Sequence, residues 1–168
     1  MQFYYTSGQQ PFETDTALTR LADTLAQRGV RMAGVVQINS ENCDGGACDM
    51  DVKVLPDGPT LRISQSLGPQ SRGCRLDPAA LEQAVGLVQP TLDGAQVLII
   101  NKFGKHEADG RGFRDLIAQA VALDIPVIVG LNEMNKQAFL DFSGGMAQYV
   151  APDLDTLSAL PFGQPAMA

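Results

Sequence analysis

A chain of 168 residues, 45% hydrophobic and 18% charged, has the composition of a globular domain with a sizeable core. A formal net charge of -7 leaves no basic field for a broad nucleic-acid surface. No apolar run reaches the length of a membrane span and the start MQFYYTSGQQ lacks the basic-then-apolar order of an export signal, so a cytoplasmic protein without membrane insertion is expected.

Residues 2–6 read as a first strand, followed by a polar turn over 7–15 that contains Gly8 and Pro11. Leu18, Leu21, Ala22 and Leu25 recur at helical spacing until Gly29 stops the helix, and 30–38 form the next strand. This strand, loop, helix, strand order opens a doubly wound α/β domain. After a polar loop over 39–48, Met50, Val52 and Val54 alternate with Asp51 and Lys53, a turn occupies 56–59, and Leu61 and Ile63 resume the alternation. That is a β-hairpin insertion with one solvated face.

A second long loop spans 64–76. Asp77 then caps the free donors of a helix whose first position tolerates Pro78, with Leu81, Val85, Val88 and Leu92 on its inner face. A strand over 96–100 and a helix facing inward through Phe113, Leu116, Ile117 and Ala120 follow. Next come a strand over 125–131, a helix over 135–142, a short strand over 148–150 and a last helical turn over 153–160. The expectation is one domain over 1–160 and a flexible tail over 161–168, where the core pattern ends.

The stretch VLIINKFGKHEADGRGFR, residues 97–114, carries the densest chemistry. Its apolar start suits a strand buried on both faces, and the polar loop after it leaves the carboxyl end of that strand, where open α/β sheets place ligands. Asn101, Lys102, Lys105, His106, Glu107 and Arg111 are therefore candidate ligand-binding residues, with Arg75, in the loop before the second long helix, as a further anion ligand. His106 is the single histidine, so any histidine acid–base chemistry must use it; otherwise it is a polar surface residue. Glu107 either replaces an acid that holds magnesium or pairs with Lys105 or Arg111.

The first turn, SGQQPFETDTA, lies where a phosphate-binding loop would sit, with Gly8 and Thr14 as candidate contacts. Such a loop needs Gly, Lys and Ser/Thr at the positions held here by Glu13, Thr14 and Asp15, and an acid at the end of a strand where this chain has Asn101. The turn is then either a strand-to-helix connection or a site with lost hydrolytic machinery.

The segments CDMDVKVLPDG, ISQSLG, GCRLDPAALEQA, LIINKFGKHEADGRGFRDLIAQA and IPVIVGLN resemble the DUF2478 family of uncharacterised bacterial proteins, which is similar in turn to THEP1-type P-loop nucleoside triphosphatases. The resemblance runs from about residue 34 to 150. It implies a three-layer P-loop-NTPase-like α/β domain, with a mainly parallel sheet of about five strands and a β-hairpin insertion. Many relatives are labelled molybdenum-transport ATP-binding proteins, which implies a pathway more than a mechanism.

Cys43, Cys48 and Cys74 are too few and too odd for a disulfide framework. They read as buried thiols or as ligands of a thiolate-bound metal, with Cys48 and Cys74 in the family-like phrases and expected to approach each other. Two functions follow from these readings. One is a non-hydrolysing accessory protein that binds an anion, a nucleotide or a metal-linked ligand in molybdenum metabolism, whose partner is a small anionic ligand or a pathway protein and which is free to form homo-oligomers. The other is an active triphosphatase. Residues 102–111 and 7–14 are expected to line one pocket, since both leave carboxyl ends of strands.

Overall fold

The computed structural model describes residues 2–10, 12–39, 50–65 and 75–163. Among the described residues nine strands and six α-helices follow one another: β1 (Phe3–Thr6), α1 (Glu13–Gln27), β2 (Met32–Asn39), β3 (Met50–Val54), β4 (Thr60–Arg62), β5 (Ser64–Gln65), β6 (Arg75–Leu76) and α2 (Pro78–Val88). After these come β7 (Val97–Phe103), α3 (Lys105–Ala108), α4 (Arg114–Ala122), β8 (Val127–Leu131), α5 (Lys136–Ser143), β9 (Gln148–Tyr149) and α6 (Leu154–Ser158).

The main sheet has seven strands in the order β4-β3-β2-β7-β8-β1-β9. Strands β2, β7, β8, β1 and β9 run parallel, which matches the expected core of about five, and the antiparallel hairpin β3–β4 extends the same sheet by two. Because β1, β7 and β8 are parallel, their carboxyl ends share one edge. No helix among the described residues is long and apolar enough to cross a membrane.

Alternation along the strands divides the core into two layers. Leu98, Ile100, Val127, Val129 and Leu131 pack with residues of α2, α4 and α5, while Val97, Ile99 and Ile128 pack with α1 and α6. Val97 to Ile100 have no exposed surface, as expected of a central parallel strand, and each such side chain stabilises the fold by about 2 kcal/mol. The α1 periodicity holds, with Leu18, Leu21 and Leu25 fully buried. At α2, Asp77 Oδ1 accepts the backbone N–H of Ala79 at 3.1 Å and of Ala80 at 3.4 Å, the cap that the Asp-Pro pair predicts.

Three local expectations change. Residues 101–103 continue β7, and 105–108 form α3, so the loop expected after residue 100 is shorter and largely helical. The loop expected over 64–76 begins and ends in a two-stranded pairing, Ser64 with Leu76 and Gln65 with Arg75. The tail expected from residue 161 begins with a core residue: Phe162 is buried, edge-on to Tyr4 with centroids 5.9 Å apart.

Candidate functional site at the carboxyl edge

The turn between β1 and α1 ties two of its backbone donors to its own side chains. The Gly8 N–H donates to Thr14 Oγ1 at 3.0 Å and the Gln10 N–H to Glu13 Oε2 at 3.3 Å. The Glu13 side chain lies 2.8 Å from where a Cβ on Gly8 would be, so it fills the concavity of the turn. Helix α1 is entered through Phe12 at φ 63°, a left-handed conformation unusual for an aromatic residue, without a side-chain cap.

Asn101 ties this turn to the sheet. Its Oδ1 accepts the Gln37 N–H at 2.8 Å and its Nδ2 donates to Asp15 Oδ1 at 2.6 Å, so a polar side chain only 3% exposed has both ends paired. Two expected site regions, 7–14 and 101–111, are thereby placed on one edge.

The turn after β7 is built on Glu107. Its Oε1 accepts the Gly104 N–H at 2.9 Å and its Oε2 the Phe113 N–H at 3.1 Å, closing the segment on itself. Burial pushes the carboxyl up from the ordinary carboxylate range, against the backbone donors of Gly104, Phe113 and Glu107 itself and the nearby His106, which pull it down. Arg114 Nη1 reaches the carbonyls of Glu107 and Ala108 at 3.5 and 3.4 Å, and its guanidinium lies 5.0 Å from the Phe142 ring centre. Glu107 is not the solvated partner of Lys105 or Arg111: it is 3% exposed and pairs with backbone donors. His106 Nε2 lies 3.1 Å from Glu82 Oε1, which also accepts the Gly112 N–H at 2.9 Å.

Two cavities flank this turn. One, of about 320 Å³, lies between β2, β3 and the carboxyl ends of β7 and β8; Asn101, Lys102, Lys105, His106 and Glu107 contribute to its lining. Lys102 and Lys105 are exposed at its rim, over buried Val35, Val52, Ile63 and Phe113. The other is a groove of about 590 Å³ between α2 and α4, with Arg111, Glu82 and Asp115 on its walls and His106 between it and the first cavity. The described residues that line these two cavities do not include 7–10 or 12–14, although the turns after β1 and β7 leave the same edge of the sheet.

Sequence reasoning missed Gln37, Glu82, Asn132 and Asn135 in these linings. The available signal was Asn132 and Asn135 just after an apolar strand, a cap spacing: Asn132 Oδ1 accepts the Asn135 N–H at 3.1 Å. For Arg75 the structure describes only the backbone pairing with Gln65, and Cys43, Cys48 and Cys74 lie outside the described residues. Among the described residues no group of three or more His, Cys, Asp or Glu side chains could hold a metal ion.

Known proteins place this geometry. The model of the family described as "Protein of unknown function (DUF2478)" matches residues 4–159. The chain is similar to Molybdenum import ATP-binding protein ModC 2 of Bradyrhizobium diazoefficiens, 36% identical over 137 residues, a match that spans 80% of this chain and 15% of that protein. The solution structure of a human cancer-related nucleoside triphosphatase resembles it with a TM-score of 0.61 at 20% identity, over 89% of this chain and 87% of that one; at that identity the likeness is one of fold. The family match over residues 4–159 shows that the chain belongs to the DUF2478 family.

Proposed function

We propose that this protein is a non-hydrolysing accessory protein that holds a small anionic ligand at the carboxyl edge of its sheet, with Lys102 and Lys105 as the cations and a degenerate phosphate loop. The observation that carries this reading is the first turn's bonding to its own side chains. A phosphate held there needs free backbone donors and a lysine. Here the Gly8 and Gln10 donors are taken by Thr14 and Glu13, and an arriving phosphate would also meet the Glu13 carboxylate. An open cavity lies beside Lys102 and Lys105. Arg111 in the neighbouring groove and Arg75 are further candidate cations. The printed name of the rhizobial relative supports a place for this ligand in molybdenum handling.

The test is phosphate release from ATP and GTP with magnesium, run beside equilibrium binding of each nucleotide. The reading predicts no turnover. Release near one per second, abolished by Thr14→Val, overturns it.

One observation favours a second reading, an active triphosphatase with unorthodox residues. Asp15 brings a carboxylate to the edge, 2.6 Å from Asn101 Nδ2, where it could hold magnesium in place of the missing acid. Turnover lost in Asp15→Asn and unchanged in Lys102→Met would select that reading.

A further inference from the structure

The cavity beside Lys102 carries a recognition element that the anionic-ligand reading does not use. Asn132 follows β8 and Asn135 closes the turn after it, and both half-buried residues line the cavity. Asn132 Oδ1 lies 3.1 Å from the Asn135 backbone nitrogen and 2.9 Å from Asn135 Nδ2. A backbone N–H only donates, so the Asn132 atom facing it is the oxygen; the Asn135 atom facing that oxygen must then be the amide nitrogen. The clamp fixes both amides. Asn132 Nδ2 and Asn135 Oδ1 are left without a partner among the described residues, a donor and an acceptor on one turn.

We infer that this pair reads the amide edge, an adjacent C=O and N–H, of a planar heterocycle that also carries an anionic group. The inference rests on the anionic-ligand reading of the same cavity. Its volume of about 320 Å³ is at the lower end of small-molecule sites, enough for a ring with a short substituent rather than a nucleoside triphosphate. Buried Val52, Ile63 and Phe113 supply apolar wall for a flat ring, and Met134, 92% exposed at the rim, offers a thioether to cover it. Lys102 and Lys105 supply the positive charge. Among the described residues the one carboxylate in the wall is Glu107, and both its oxygens are on backbone donors.

Three probes separate the parts of this inference: orotate has the edge and the anion, benzoate the ring and anion alone, and uracil the edge alone. Titration calorimetry on the whole chain should give orotate an affinity about tenfold or more above either of the others, the worth of one well-made hydrogen-bond pair. Asn132→Asp keeps the oxygen that accepts both Asn135 bonds and turns the outward donor into an acceptor. Its added charge repels both anions alike, so the orotate-to-benzoate ratio should fall to about one while the thermal midpoint holds. Equal affinity of the unaltered protein for orotate and benzoate overturns the amide-edge inference and leaves the anionic-ligand reading standing. Absence of binding by either anion overturns both.

Discussion

The turns after β1 and β7 leave the same edge of the sheet, and each satisfies two backbone donors with side-chain oxygens from a few residues along the chain. They differ in exposure. In the first turn Thr14 and Glu13 make the bonds at a half-open surface, where water can replace them. In the second the carboxylate of Glu107 is 3% exposed and has no substitute. The same device is therefore a modest local closure in one place and a structural pin in the other, and the pin holds Lys102 and Lys105 beside an open cavity.

Removing the pin should have the largest effect. Glu107→Ala leaves two buried N–H groups unpaired, so about 3–4 kcal/mol of stability should be lost in urea unfolding. A loss under about 1 kcal/mol would erase the contrast between the turns. Glu107 also gives a signed pH dependence. Its folded-state pKa is raised, so the folded protein holds that proton more tightly than the unfolded chain. The stability it contributes is complete below the unfolded carboxyl value and is lost as pH rises through the folded one. The difference between the unaltered protein and Glu107→Gln should thus shrink across that window; a difference that grows with pH would contradict the burial argument.

Next in size is Gly112→Ala. Gly112 has φ 64° and a Cβ there would lie against Glu107 Oε2, so strain and clash together should cost about 3 kcal/mol. Gly110→Ala, at φ 95° with open space around it, should cost about 1–2 kcal/mol from backbone strain alone. Equal losses would show that Glu107 is not what crowds the site.

Much of this fold was legible in the sequence. The apolar runs that became β7 and β8, the spacing of Leu18, Leu21 and Leu25, and the Asp77-Pro78 cap are local patterns, and burial answers to local pattern in a parallel sheet. The Glu107 turn was not legible. A carboxylate between His106 and residues Ala108-Asp109 reads as surface chemistry, and only the return of the chain at Gly112 and Phe113 buries it. Asn101 was likewise hidden within β7, since its partners, Gln37 and Asp15, are 64 and 86 residues away in sequence. Phe162 lacked any periodic neighbour, so its place against Tyr4 had no local sign.

Smaller effects sharpen the comparison from the other side. Thr14→Val frees the Gly8 donor at a half-open site and should cost about 1 kcal/mol in the same unfolding assay, well below Glu107→Ala. Lys102→Met changes an exposed side chain, so stability should shift by less than about 0.5 kcal/mol while benzoate affinity falls several-fold. An affinity unchanged in Lys102→Met would move the anion away from that rim.

The proposed function puts the anion at the β7–β8 end of the sheet and not in the first turn. Backbone amide chemical shifts followed during a benzoate titration test it most directly, because every segment reports in one experiment. Shifts concentrated at Lys102, Gly104, Lys105, Asn132 and Asn135 are expected, with Gly8, Gln10 and Glu13 unmoved. Shifts concentrated at Gly8, Gln10 and Glu13, with the Lys102 and Asn132 segments silent, would contradict it.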